Sequence, residues 1–370
     1  MKTRAAVVHE VDGPIEILEL DLDGPQDGEV LIRWMYAGLC HSDLHVVTGH
    51  LPMQLPFVLG HEGAGIVEEV GAGVTRVRPG DHVVCSFIPT CGTCRWCATG
   101  QQPLCDSGAT NRLGHLLNGR YPFSGPAGRY GAMCTVATFS QYAVVHQNSA
   151  IRIDDDLPME VAALVACGVP TGWGSAVYSA DVRPGETVVV IGTGGVGMNA
   201  VQGARYAGAR NLIAVDPVAF KREYALEFGA THAVATLDEA HKLALDLTRG
   251  VGADKAILTT DVVTEEQISG AFQVIGKGGT MVITGANKFD LVNMHLPAAE
   301  LTLFRKSVKG CIFGDCNPTV DIPMLLGLYR SGQLKVEELI TRRYRLDEVA
   351  LGYEDLLAGR SLRGVLVHEH

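Results

Sequence analysis

The chain has 370 residues, a formal net charge of −11 at neutral pH, and 47% hydrophobic against 19% charged residues. That length exceeds one ordinary core and implies about two domains, while the hydrophobic share excludes a disordered chain. The acidic balance excludes nucleic acid, whose phosphates demand a basic face, and anionic membrane surfaces.

No apolar run approaches the roughly eighteen residues that span a bilayer, and Met1–Glu10 lacks the apolar stretch of a secretory signal. Ten cysteines in such a chain suggest metal-held thiols in a reducing compartment, so the cytoplasm is expected. Residues 1 to about 150 read as short strands broken by Gly and Pro. They include Gly28–Trp34, Gly65–Val70 and, after the turn Arg78–Asp81, His82–Val84. This texture predicts a β-barrel-like lobe with few helices. Within it, Cys91, Cys94, Cys97 and Cys105 form a C-x2-C-x2-C-x7-C run. Thiolates so spaced can converge on one tetrahedral zinc with bonds of about 2.3 Å, and four of them leave no open position, so the site is structural. Gly92 lets the loop fold back. A disulfide pair or a chance cluster is the alternative.

From Glu186 onward, apolar strands alternate with helical stretches: Thr187–Ile191, a helix over 196–209, Asn211–Val215, then Lys255–Leu258 and Gly279–Ile283. Strand–helix alternation predicts a parallel, doubly wound sheet. The first strand runs directly into Gly192-Thr193-Gly194-Gly195-Val196-Gly197, a G-x-G-x-x-G motif that opens a helix. Gly192 permits the tight turn, Gly194 lets the backbone approach a pyrophosphate, and Gly197 lets helix and strand pack closely. The exposed N–H groups and the helix dipole stabilise a diphosphate. Asp216 ends the next strand, nineteen residues past Gly197. Its carboxylate can accept both adenosine ribose hydroxyls and repels a 2′-phosphate, which favours NAD over NADP; a solvated acid at a strand end is the alternative. Lys221 either adds a ribose contact or is a plain surface lysine. The tail from about Phe313 contains an amphipathic stretch, Val320–Ser331.

Cys40, His61 and Cys167 are candidates for a second metal. Two thiolates and an imidazole leave one tetrahedral position open, as a catalytic zinc requires. Spacing alone does not join residues this dispersed, and buried cysteines and a satisfied histidine are the alternatives. Cys85, Cys134, Cys311 and Cys316 read as structural or adventitious thiols, with a redox pair of Cys311 and Cys316 as the alternative.

Taken in chain order, Gly60-His61-Glu62, the four-cysteine lobe, Cys167-Gly168-Val169-Pro170-Thr171-Gly172 and the glycine loop resemble the zinc-dependent alcohol dehydrogenases of the medium-chain dehydrogenase/reductase superfamily. The resemblance covers essentially the whole chain. Residues 192–230 are most similar to the bacterial branch assayed with a nitroso dye (NDMA), in which NAD can stay bound through turnover. The implied fold is α/β, with a GroES-like β-rich catalytic domain over 1–169 completed by 313–370. A doubly wound Rossmann NAD-binding domain is implied over 170–312.

The resemblance also implies two Zn2+ per chain and NAD. Cys40, His61 and Cys167 become ligands of the catalytic zinc. Asp43 orients His61, and Glu62 assists ligand exchange or is a buried structural acid. Thr171 and Val196 pack against the nicotinamide, beside Gly195 of the loop. Arg363 grips the pyrophosphate and His41 contacts a phosphate. Ser42 accepts the alcohol proton and His45 passes it to solvent, with a turn serine and a surface histidine as alternatives. Leu51 and Phe87 match apolar pocket walls, which favours alkyl or aryl primary alcohols over sugars. The implied activity is reversible NAD-dependent oxidation of a primary alcohol to an aldehyde by hydride transfer. The alternatives are dismutation of formaldehyde or another aldehyde, and oxidation of a formaldehyde–thiol adduct, with tightly bound NAD. His45 stands where the adduct-oxidising branch usually has tyrosine, which favours free alcohols. The implied partners are a small alcohol or aldehyde, a redox partner where NAD does not exchange, and further copies in a homodimer or homotetramer.

Overall fold

In the computed structural model, which describes residues 1–285 and 294–370, the short N-terminal strands close on one another. Lys2–Val8, Glu16–Leu22, Phe123–Gly125, Gly128–Ala132 and Phe57–Val58 form a closed barrel. A second sheet runs in the order Ala150–Ile153, His82–Cys85, Gly63–Val70, Glu29–Gly38, Arg363–Val367, Ile340–Arg345. Tyr142–His146 also pairs with Glu29–Gly38. Each strand expected in this region is present, and Gly28–Trp34 lengthens to Glu29–Gly38. Its four extra residues are mostly apolar and none is a turn former before Gly38, so pairing continues to that glycine.

The C-terminal strand pairs Val365 with Gly38 and Leu366 with Ala37. Composition leaves the destination of the tail open; backbone pairing decides it. Chain contacts accordingly gather Met1–Cys167, Asn317–Ser331 and Val336–His370 into one unit, and Gly168–Cys316 with Gly332–Lys335 into another. Phe313–Cys316 stay with the second unit, where the Cys316 thiol donates to the Pro170 carbonyl at 3.4 Å.

Among its described residues the second unit carries six strands: β1 (Thr187–Ile191), β2 (Asn211–Val215), β3 (His232–Val234), β4 (Ala253–Leu258), β5 (Ile275–Ile283) and β6 (Ser307–Gly310). All pair in parallel, in the order β3-β2-β1-β4-β5-β6. The order reverses between β1 and β4, which is where a doubly wound sheet binds its ligand. β1 is buried throughout, as its unbroken apolar run requires. Two surface helices begin in capping boxes, Thr236 with Glu239 and Thr264 with Gln267. The expected fold class therefore holds. Among the described residues no helix is long and apolar enough to cross a membrane.

A helix over Gly168–Gly174, continued by a wider turn over Ser175–Ser179, is absent from the sequence reading. Three glycines and a proline disguise it. Pro170 sits in the first turn, where no backbone donor is lost. A Cβ at Gly172 would run into the Val196 carbonyl, so glycine here is packing rather than flexibility.

The loop before Phe123–Gly125 is tied to Glu29 by charge. Glu29, 1% exposed, forms an ion pair with Arg120 and accepts from Asn118 Nδ2 at 2.9 Å and Gln26 N–H at 2.8 Å. Arg120→Ala is expected to cost about 3–5 kcal/mol in chemical denaturation, because Glu29 keeps a buried charge without its counter-ion. Glu29→Gln with Arg120→Met should recover most of that loss; an Arg120→Ala protein as stable as the parent would contradict it.

Candidate active site

Cys40 is the N-cap of the helix His41–Val47, and the extended backbone there (φ −128°, ψ 149°) turns the chain from strand into helix. Asp43, in the first turn, is wholly buried. Its Oδ1 accepts the Gly60 N–H and faces His61 Nδ1, both at 3.1 Å. A carboxylate at Nδ1 keeps the proton there and leaves the Nε2 lone pair for another partner. Nε2 is buried and has no hydrogen-bond partner. The ligand atoms of Cys40, His61, Glu62 and Cys167 all lie within 4.8 Å of one another. Soft thiolates and an imidazole, buried and converging on one orphaned nitrogen, suit zinc.

The charges in this cluster are strongly coupled. The Cys167 thiol donates to Cys40 and holds it well below the usual thiol range, against burial. Cys167 is raised correspondingly, by that bond and by burial. Burial lowers His61, but Asp43, Cys167 and Cys40 together outweigh it and raise the imidazole well above its ordinary value. Burial pushes Glu62 up to about 7, opposed by Arg363. Arg363, assigned by resemblance to a pyrophosphate, is buried here with its guanidinium on Glu62 Oε2. Gly38 admits this pair, since a Cβ there would strike both groups.

The other first-unit candidates surround the cluster. Ser42 Oγ lies 3.6 Å from Cys40 Sγ. His45, one turn along, is buried, with its ring centroid 5.7 Å from that of His50. His41 is half-buried at the helix start. The His45 carbonyl accepts the Leu51 N–H at 2.7 Å. Phe87 meets the His61 ring edge-on, centroids 5.9 Å apart, and its carbonyl accepts from Asn111 at 2.7 Å.

In the four-cysteine lobe, Cys91 and Cys97 sulfurs are 4.0 Å apart and those of Cys94 and Cys105 3.9 Å. A tetrahedron with bonds of about 2.3 Å needs sulfurs about 3.8 Å apart. The disulfide alternative does not occur, because a covalent pair stands at about 2.05 Å. N–H groups of Thr93 and Cys94 point at Cys91 Sγ and bring that thiol down to about 6. Desolvation pushes Cys97 up to about 12. The short helix Arg95–Ala98 buries none of its residues.

In the second unit, Gly192 takes φ +84°, and Gly197 touches the Gly192 carbonyl so closely that a Cβ has no room. Thr259 Oγ1 donates to that carbonyl at 2.6 Å. A Cβ at Gly194 would meet nothing within 4 Å, so the loop has open space above the first turn of Gly195–Tyr206. Those N–H groups and that space fit a diphosphate. Asp216 is buried; Oδ2 accepts the Thr193 N–H and Oδ1 the Val218 N–H, both at 2.9 Å. It therefore locks the glycine loop while keeping one lone pair on each oxygen. Val196 and Thr171 are half-exposed, the latter with its carbonyl accepting from Ser175 Oγ. Lys221 is half-buried on Ala219–Glu227, whereas Arg222, unremarked in the sequence, donates to the carbonyls of Asp216 and Pro217.

Residues 26–155 match the sequence profile of the alcohol dehydrogenase GroES-like domain, and residues 195–329 that of the zinc-binding dehydrogenases. The NDMA-dependent alcohol dehydrogenase of Amycolatopsis methanolica is 56% identical over 368 residues, which covers 100% of this chain and 99% of that one. Alcohol dehydrogenase B of Mycobacterium tuberculosis is 44% identical, with 99% and 98% covered. The crystal structure of benzyl alcohol dehydrogenase from Acinetobacter calcoaceticus shares 30% identity at a TM-score of 0.92, with both chains fully covered.

The helix in the lobe buries nothing, and Gln102 ties the lobe to Asn317 and Thr319, so the four sulfurs are expected to supply the rest of its hold. Cys91→Ser is expected to make the segment 91–113 the first site of limited proteolysis. Cleavage as slow as in the parent would show that the lobe stands without them.

Proposed function

We propose that this chain, which belongs to the zinc-binding dehydrogenases, oxidises primary alcohols to aldehydes, reversibly, with NAD as the hydride acceptor. The observation that carries the reading is the buried, partnerless Nε2 of His61 beside the thiols of Cys40 and Cys167. These three residues would hold a catalytic zinc, and Cys91, Cys94, Cys97 and Cys105 a structural one. When bound, the catalytic zinc supplies Lewis acidity at the alcohol oxygen and NAD supplies the hydride acceptor.

The chain's own residues do the rest. Asp43 fixes the His61 ring so that Nε2 faces the thiols. Ser42 Oγ, beside Cys40, takes the hydroxyl proton, and the His45 imidazole, able to accept and donate, carries it away. Phe87 and Leu51 offer apolar surface to the carbon tail and exclude water. The Gly192–Gly197 loop binds the pyrophosphate through backbone N–H groups, with Gly195 opening the helix. Asp216 takes the ribose hydroxyls with its remaining lone pairs, and Lys221, on the helix that follows, adds a ribose contact. Thr171 and Val196 face the nicotinamide, while His41 and Arg363 serve the phosphates. Glu62 exchanges between Arg363 and the metal group, which its distance to both allows. None of the ten cysteines forms a disulfide, which fits the cytoplasm, and a homodimer or homotetramer belongs to the same proposal.

Identity to the relative named for NDMA dependence favours a second reading of the coenzyme cycle, in which NAD stays bound and an external acceptor reoxidises it. Denaturing the purified protein should then release close to one dinucleotide per chain; a nucleotide-free preparation that turns over added NAD would argue for free exchange.

The metal assignment is tested by substitution. The parent is expected to hold about two zinc per chain. Cys40→Ser should keep its fold and the lobe metal yet lose alcohol oxidation; retained turnover would remove Cys40 from the ligand set. The dinucleotide assignment is tested at Gly194. Its Cβ position is open, so Gly194→Val should shift the thermal midpoint by only about 2 °C, while NAD affinity falls at least tenfold by titration calorimetry. Unchanged affinity would place the diphosphate elsewhere.

A further inference from the structure

The two oxygens of the buried Asp43 carboxylate have unequal surroundings. Oδ1 serves both Gly60 N–H and His61 Nδ1, whereas Oδ2 is buried with no partner. An unpaired carboxylate oxygen away from water is costly, and such atoms are rare unless something answers them.

Tyr353, on the helix Val349–Leu357, carries the complement. Its side chain is buried against Phe139, ring centroids 6.3 Å apart, and its hydroxyl likewise has no partner. Asp43 holds Gly60, Gly60 lies tight against Phe139, and Phe139 is the ring Tyr353 packs on, so the two orphans share one buried neighbourhood. After burial, the charge of Asp43 is what most raises the pKa of the phenol. Packing against Phe139 asks only for a ring, and phenylalanine supplies that without a hydroxyl to bury. The phenol therefore needs a reason, and Asp43 Oδ2 is the one at hand.

We propose that Tyr353 is a positioning residue whose hydroxyl donates to Asp43 Oδ2, so that Tyr353, Asp43 and His61 form one line that holds the imidazole in place for the metal. A carboxylate anchored on one oxygen alone can still swing about its side-chain torsion. A donor on the second oxygen fixes its plane, and with it the His61 ring. The same donor draws charge from the carboxylate and keeps the shared proton on His61 Nδ1. Partners outside the ligand set tune metal affinity in this way. The proposal rests on the reading of Cys40, His61 and Cys167 as zinc ligands.

Tyr353→Phe in the full chain separates the hydroxyl from the ring. Zinc retention against a chromophoric chelator is the readout, with the four-cysteine site as internal control. The expected result is a dissociation constant raised about tenfold at the Cys40–His61–Cys167 site, with the four-cysteine site and the thermal midpoint unchanged. In an Asp43→Asn background the same substitution should add nothing, since interacting partners are non-additive. Equal zinc affinity in Tyr353→Phe and the parent overturns the proposal. So does an undiminished effect in the Asp43→Asn background, loss from both metal sites alike, or a variant that fails to fold. A parent that binds only the four-cysteine zinc overturns the ligand assignment itself, which is a separate failure.

Discussion

A single oxygen, Asp43 Oδ1, joins the helix that carries Cys40, Ser42 and His45 to the turn that carries Gly60 and His61. Both of its hydrogen bonds are buried, in surroundings of low polarity where such bonds are strong and their loss is expensive. The turn it grips is itself constrained: Gly60 takes φ +94° and lies against Phe139 too closely for any side chain. Without this link, the imidazole and the first thiol belong to unrelated stretches of chain. With it, a nitrogen lone pair and two sulfurs converge within 4.8 Å.

The second unit uses the same device for another purpose. Asp216 receives the backbone N–H of Thr193 and so holds the glycine loop to the end of β2. A carboxylate that accepts backbone donors is stable when buried, and it still offers lone pairs to a hydroxyl-bearing ligand. The close contacts at Gly172 and Gly197 then press two helices onto the loop, leaving Gly194 as the place where space remains. The chemistry expected of each unit thus depends on a buried acid whose first duty is to hold backbone.

Arg363 and Glu62 show how such clusters remain tolerable. A buried carboxylate beside the lowered Cys40 thiol gathers negative charge, and the guanidinium, which reaches Glu62 from the far side of Glu29–Gly38, offsets it. The arginine raises the cost of removing either partner more than it adds net stability. It also couples the C-terminal strand to the Cys40–His61–Cys167 cluster, so the tail of the chain takes part in the electrostatics of residues near its start.

Short-range features were legible in the amino-acid order alone. The cysteine spacing at 91–105, the strand running into Gly192–Gly197, and the alternation that yields a parallel sheet are consequences of local sterics and periodicity, which act over a few residues. The convergence of Cys40 with Cys167, the pairing of Glu62 with Arg363 across 301 positions, and the packing of Tyr353 on Phe139 belong to the tertiary structure. Periodicity tells which face of a strand or helix is buried, but not what it is buried against. The glycine-rich helix at Gly168–Gly174 was hidden for the same reason: its glycines answer to neighbours that only folding brings near. What the sequence determined was the set of chemical groups and their local geometry; which of those groups share one dry volume was decided by long-range strand pairing and close packing.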